Sequence, residues 1–225
     1  MSNQAHLSTT HQSESVLQTN KVLRNTYMLL GMTLGFSALM AFVAIATNAA
    51  PMHFIITLVG FYGLLFAIHK TANSAMGLVL VFALTGFMGY TIGPLLGMIS
   101  AIGPQGNEII MTAMGGTALI FFALSAYVLT TKKDMSFLGG MMVAGFVALV
   151  VMMIANIFLN MPALSLALSA LFILFSAGAI LMQTSAIIHG GERNYVLATV
   201  TLFVSIYNIF LSLIQLLMAF AGGDE

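Results

Sequence analysis

The side chains most able to do chemistry in this chain are neutral hydrogen-bonding groups near its C-terminal end. Five of them recur at spacings of 4, 3, 4 and 3 residues, on one face of a helix: Thr201, Ser205, Asn208, Ser212 and Gln215. In the preceding apolar segment, Gln183 lies on a second seam of small and polar residues. Amides and hydroxyls do not titrate near neutral pH, so the pattern predicts polar helix–helix contacts. Ordinary packing and a polar pathway both fit this pattern.

Two long apolar segments carry these seams, residues 162–188 and 195–221, and neither contains Asp, Glu, Lys or Arg. At a rise of about 1.5 Å per residue, each is long enough to cross a hydrocarbon layer of about 30 Å as a helix. The break between them, HGGERN, is short. It therefore predicts a tight return that makes the two helices antiparallel neighbours.

The whole chain has the composition of an integral membrane protein. Of its 225 residues 60% are hydrophobic and 5% are charged, whereas a soluble domain carries about a quarter charged residues. The sequence predicts an all-α membrane protein, a seven-transmembrane-helix bundle. The predicted spans are residues 27–47, 52–68, 76–102, 109–130, 137–159, 162–188 and 195–221.

Three regions follow from this pattern. Residues 1–26 are polar and lack the apolar core of a signal peptide, which predicts a mobile cytoplasmic tail with a short helix around 16–23. Residues 27–221 form the membrane domain, and residues 222–225 a short external C-terminus. With seven spans, all basic residues fall on one side, which the positive-inside rule assigns to the cytoplasm: Lys21, Arg24, Lys70, Lys132, Lys133 and Arg193.

Glycines at four-residue spacing predict close helix crossings. Gly31 and Gly35 form one such pair, and Gly89, Gly93 and Gly97 form a doubled pattern in the third span. A missing side chain lets two helix backbones approach closely, so these positions are predicted to pack helices together.

The predicted spans contain no Asp, Glu, Lys or Arg, and the chain has no HExxH, Walker or GxSxG motif. It also has no cysteine, which excludes disulfides, thiol catalysis and thiolate-bound metals. Net charge is zero and the basic residues are dispersed, which argues against nucleic acid. We therefore expect neither an enzyme nor a bound metal or cofactor.

The segment FSAGAILMQTSAIIHGGERNYVLATVTLFVSIYNIFLSLIQLL, residues 175–217, resembles the Bax inhibitor-1 family, specifically its YccA-like bacterial branch. The resemblance implies a seven-helix fold of the Bax inhibitor-1 type. In that family an aspartate in each of the last two spans forms a pH-responsive latch in a calcium leak pathway. Here Gln183 and Ser205 stand at those positions. The pair predicts a permanent hydrogen bond between the two helices, worth roughly 0.6–2 kcal/mol.

The same resemblance implies a function. The branch is associated with FtsH, a membrane-anchored AAA protease, as a binding modulator that restrains proteolysis of membrane proteins. The leading hypothesis is thus a multi-pass inner-membrane regulator in the lipid bilayer, with the FtsH complex as partner. The alternative is a cation leak channel with weak calcium permeation, and a third possibility is a transporter of a small neutral solute.

Overall fold

The computed structural model describes the backbone of residues 2–222 and the side chains of residues 19–222. Within this part the chain forms seven helices: α1 (Ser2–Ala46), α2 (Phe54–Thr71), α3 (Ala75–Ser100), α4 (Pro104–Thr131), α5 (Leu138–Leu159), α6 (Pro162–Ile188) and α7 (Tyr195–Ala221). Each contains a segment long and apolar enough to cross a membrane. The predicted seven-helix class is therefore confirmed.

The helix ends agree with the predicted spans except near two termini. Helix α4 begins at Pro104, five residues before the predicted span, because a proline at the first turn is already in helical geometry. Asn107 in its first turn accepts a hydrogen bond from Ser100 Oγ of α3 at 2.8 Å. Helix α1 starts at Ser2, so the short helix expected around 16–23 is part of a longer one. The mobility of residues 1–26 stays a prediction. Most of the predicted external C-terminus, residues 223–225, lies outside the described residues.

Helix α7 is the centre of the bundle. More than half of its membrane-spanning part is buried, and it packs against α6, α4 and α1, with a smaller contact to α3. Helices α2 and α5 lie at the periphery, against α3 and α6 respectively. One apolar cluster joins the inner faces of six helices, and its members include Leu30, Ile68, Leu84, Phe121, Ile180 and Phe203. This cluster positions the polar seams of α6 and α7.

Helices α1 and α3 cross closely where two residues of α3, Gly89 and Gly93, have no side chain. A Cβ atom at Gly89 would overlap the backbone carbonyl of Ser37, and one at Gly93 would lie 2.5 Å from Ala44 Cβ. At Gly97 the nearest atom would be Ile45 Cγ1 at 3.6 Å, an ordinary contact. The helix backbones can approach this closely because Gly89 and Gly93 carry no Cβ.

The prediction that Gly31 and Gly35 mark a close helix crossing is wrong for this bundle. A Cβ atom at either residue would meet no other atom within 4 Å, and both residues are exposed. The face of α1 that meets α3 carries Ser37, Ala41 and Ala44 instead. Gly31 lines an apolar groove of about 570 Å³ between α1 and α4.

The connections that carry basic residues are joined at one end of the bundle, which we call the basic end. The α6–α7 loop contacts the α2–α3 loop, where Asn194 Nδ2 donates to Ala72 O at 3.1 Å. It also contacts the α4–α5 loop, where His189 Nε2 lies 3.1 Å from Lys132 O. Lys21 of α1 lines the same cleft as Lys132 and Arg193. The single-sided arrangement of basic residues predicted from the sequence is thus seen in the fold.

Candidate functional site

The two predicted latch positions, Gln183 and Ser205, lie on the neighbouring helices α6 and α7. Ser205 is buried, and its hydroxyl donates to the Thr201 carbonyl oxygen one turn back, at 2.8 Å. Gln183 is partly buried, and its Nε2 atom is buried without a hydrogen-bond partner. Among the described residues no hydrogen bond joins the two side chains, so the predicted Gln183–Ser205 bond is wrong. The serine hydroxyl instead takes the acceptor that its own helix offers.

The rest of the α7 stripe is held in two ways. Thr201 Oγ1 donates to Leu197 O at 3.2 Å, within the helix. Gln215 Oε1 accepts a hydrogen bond from Ser169 Oγ of α6 at 2.6 Å, at the end of the bundle opposite the basic end. Ser212 is buried, and Asn208 is partly buried. The polar seams of α6 and α7 therefore meet through one direct hydrogen bond, between Ser169 and Gln215.

The basic end is held together by side chains that sequence reasoning did not select. Ser185 Oγ accepts from Met135 N at 2.9 Å, which ties α6 to the α4–α5 loop. Asn194 Oδ1 accepts from the backbone N–H groups of Val196 and Leu197, and so caps the N-terminus of α7. An Asn directly before a helix is a recognisable capping signal. The contact of Asn194 with the α2–α3 loop, however, could not be predicted from the sequence.

His189 lies between two backbone carbonyls. Its Nδ1 atom is 2.9 Å from Ser185 O, and its Nε2 atom is 3.1 Å from Lys132 O. The contact with Lys132 O ties the end of α6 to the α4–α5 loop.

Asp134 lies in the same loop and is fully exposed. The backbone N–H of Ser136 donates to its Oδ1 atom at 2.9 Å. Hydrogen bonds from the backbone and hydroxyl of Ser136 lower the pKa of this carboxyl from its usual value, with a smaller contribution from the nearby His189. Because the carboxylate form is the one favoured, Asp134 is ionised at neutral pH.

A cleft of about 690 Å³ opens at the basic end. Three basic side chains and one acidic side chain line it: Lys21, Lys132, Arg193 and Glu192. Apolar side chains also line it, among them Val22, Leu129 and Ile188. The lining of the cleft is therefore mixed, and its basic side chains outnumber its acidic one. In the described part of the chain, no three His, Asp or Glu side chains are close enough to hold a metal ion.

Seven long apolar helices, a central helix with a polar stripe and a basic end tied by short loops define a polytopic helical membrane protein. Comparison with known proteins identifies the particular family. Residues 19–222 match the family described as inhibitor of apoptosis-promoting Bax1, and the chain belongs to that family. The resemblance inferred from the last two spans is therefore confirmed.

Relatives match over almost the whole chain. The chain is 55% identical over 218 residues to the Modulator of FtsH protease YccA of Escherichia coli K12, which covers 97% of this chain and 98% of that protein. It is 55% identical over 204 residues to PA2604 of Pseudomonas aeruginosa, an uncharacterised protein, which covers 91% of both chains. A membrane protein of Vibrio cholerae is 39% identical over 216 residues and covers 96% of both.

Proposed function

We propose that this protein is an inner-membrane modulator of an FtsH-type membrane-anchored protease. The observation that carries the proposal is the 55% identity, over nearly the full length of both chains, to a protein named as a modulator of FtsH. Because the match covers 97% of this chain, the proposal applies to almost the whole of it. The proposed role is regulatory rather than catalytic.

We infer that the basic end faces the cytoplasm. All six basic residues lie on or next to this end, and cytoplasmic loops carry an excess of Lys and Arg. This orientation puts the N-terminal segment and the cleft on the side from which a cytoplasmic AAA domain would approach. It also puts residue 225 outside the cytoplasm.

The architecture supports a modulator that is held by the protease but resists extraction. An unfoldase needs a polar segment to grip, and residues 1–26 provide one at the basic end. A protease that pulls on this segment would pull on α1. This helix packs closely against α3 at Gly89 and Gly93 and also packs on the central helix α7. The N-terminal segment therefore leads straight into one of the most strongly held helices of the bundle.

A calcium leak, the alternative raised by the family resemblance, is less favoured. An ion crossing the bundle near Gln183 and Ser205 would find only neutral side chains, because the predicted spans contain no carboxylate. Moving a divalent cation past neutral groups in a low-dielectric interior is strongly unfavourable.

Co-purification tests the proposal directly. The full chain, extracted in a mild detergent, should retain FtsH, and deletion of residues 1–19 should reduce the retained amount or alter the turnover of FtsH substrates while insertion and thermal stability stay unchanged. Deletion of residues 222–225 is the matched control at the opposite end and should have no effect. Equal FtsH retention and substrate turnover for all three chains would refute the role of the tail. Failure of the full chain to retain FtsH or to change substrate turnover would refute the proposal itself.

A further inference from the structure

Four helices contribute a hydroxyl side chain to one level of the bundle, and we call these residues the hydroxyl layer: Thr26, Ser125, Thr184 and Thr199. All four are buried, with at most 3% of any side chain exposed. Each stands four residues from a member of the central apolar cluster: Leu30, Phe121, Ile180 and Phe203 respectively. Because α1 and α7 run away from the basic end while α4 and α6 run towards it, each hydroxyl lies one turn from the cluster on the same side, facing the basic end.

Contacts between the helices support this common level. Thr199 Oγ1 of α7 lies 3.3 Å from Thr26 O of α1. The ring of Tyr27, next to Thr26, is 5.9 Å from the ring of Phe121, one turn from Ser125. The layer is therefore assembled from residues far apart in the sequence that the fold brings together.

Three of the four hydroxyls have no hydrogen-bond partner: Thr26 Oγ1, Ser125 Oγ and Thr184 Oγ1. Other buried hydroxyls in this chain return to a carbonyl of their own helix, as Thr33 does to Leu30 O at 3.0 Å and Thr117 to Ala113 O at 2.7 Å. The three unpartnered hydroxyls of the layer make no such bond, whereas Thr199 Oγ1 donates to Tyr195 O at 2.7 Å.

Two neighbouring groups are also unpartnered, Tyr27 OH and Gln183 Nε2. A buried polar group without a partner destabilises a protein, and the hydrocarbon of a bilayer offers none. A concentration of such groups at one level indicates a ligand that both donates and accepts hydrogen bonds.

We propose that the hydroxyl layer binds ordered water, supplied from the cleft at the basic end. Three apolar residues that line that cleft are Val22, Leu129 and Ile188, and each lies four residues, or one turn, from a hydroxyl of the layer on the side of the basic end. Along each of these three helices, about one turn separates the layer from the cleft lining. Water matches the mixed donors and acceptors, whereas a cation would be buried with no carboxylate among the residues of the layer.

The proposal also accounts for Gln183. Its amide makes no bond to Ser205, but its buried N–H group lies on α6 beside Thr184, within the hydrated level. Water then satisfies the buried amide at this predicted latch position. This inference does not depend on the protease function, because it concerns the interior of the bundle.

Valine substitutions distinguish a hydrated layer from a dry one, since valine has nearly the shape of threonine without the hydroxyl. With bound water, Thr26→Val and Thr184→Val each remove a hydrogen bond and should lower the unfolding midpoint of the full chain in detergent by about 2–4 °C. In a dry layer the same changes remove an unsatisfied hydroxyl and raise the midpoint or leave it unchanged. Thr33→Val is the matched control, because Thr33 is equally buried but bonded to its own helix.

Midpoints of Thr26→Val and Thr184→Val at or above that of the unaltered chain would overturn the proposal, whereas Thr33→Val shows the loss expected for a buried hydroxyl that has a partner. A second measurement avoids dependence on variant folding. A high-resolution structure of the unaltered protein in a lipid nanodisc should show water density within 3.5 Å of Thr184 Oγ1 and Ser125 Oγ. An empty layer, or hydroxyls turned back to their own helix carbonyls, would equally refute it.

Discussion

Substituting Gly89 by alanine should destabilise the bundle, although alanine is the better helix former. A Cβ atom at this position would overlap the Ser37 carbonyl oxygen and lie 2.8 Å from Ser37 Oγ. The main obstacle is backbone, which cannot rotate away as a flexible side chain can. Helices α1 and α3 must therefore separate along their crossing, which opens contacts on both sides of it.

The expected magnitude follows from two opposing effects. Overpacking of a tight contact costs about 1–3 kcal/mol and occasionally more, and we take the upper end because the contact is to backbone. The gain in helix propensity from Gly to Ala is about 1 kcal/mol, which leaves a net loss of about 2 kcal/mol. For a chain of this size, the loss lowers the unfolding midpoint by about 4–8 °C.

Gly35→Ala is the matched control on the partner helix, because a Cβ at Gly35 meets no atom within 4 Å. It should gain the helix propensity without a clash and raise the midpoint by up to about 2–4 °C. The assay is the loss of the monodisperse elution peak on heating in detergent, measured side by side for both variants. A Gly89→Ala protein as stable as Gly35→Ala would show that α1 and α3 do not cross at Gly89, and the packing argument would fail.

The remaining predictions concern topology, the latch positions and the α7 cap. A reporter fused after residue 225 should behave as extracytoplasmic, and a cytoplasmic signal would refute the seven-span orientation. Calcium flux through the unaltered protein in proteoliposomes should be low and nearly independent of pH between about 6 and 8. Gln183→Asp combined with Ser205→Asp should introduce pH dependence, because a buried carboxylate pair titrates with a raised pKa. A steep increase in the flux of the unaltered protein with rising pH would show that another group senses pH, and the prediction would be wrong. Asn194→Ala removes the α7 cap and the bonds to the α2–α3 loop, so it should lower stability by about 1–3 kcal/mol in the same heating assay, whereas Asn194→Asp keeps the cap and should lose less. Equal stability of these two variants would show that the cap contributes nothing.

The number and approximate ends of the helices were predictable from local sequence. An apolar run either is or is not long enough to cross the hydrocarbon layer, and backbone hydrogen bonding in lipid then requires a helix. The last two spans were predicted with the same bounds that the structure shows, because HGGERN interrupts the apolar pattern sharply. The common end of the basic residues also followed, because two spans separate each basic segment from the next.

Which small residues pack was not predictable in the same way. Gly31 and Gly35 have the same four-residue spacing as Gly89 and Gly93, yet only the second pair lies at a crossing. Spacing defines a face of a helix, but the rotation of α1 that buries Leu30 in the central cluster decides which face meets α3. That rotation is set by the packing of several helices together.

The sequence by itself therefore determined the class of protein, its family and the neutral character of Gln183 and Ser205, because these depend on residue identity and on local hydrophobic pattern. Only the tertiary structure decided the hydrogen-bond partner of Ser205, the exposure of Gly31 and Gly35 and the shared level of Thr26, Ser125 and Thr184. The physical reason is that a hydroxyl can donate a hydrogen bond either to a carbonyl of its own helix or to a group on a neighbouring helix. The neighbours are fixed by helix rotation and depth, which no single segment specifies.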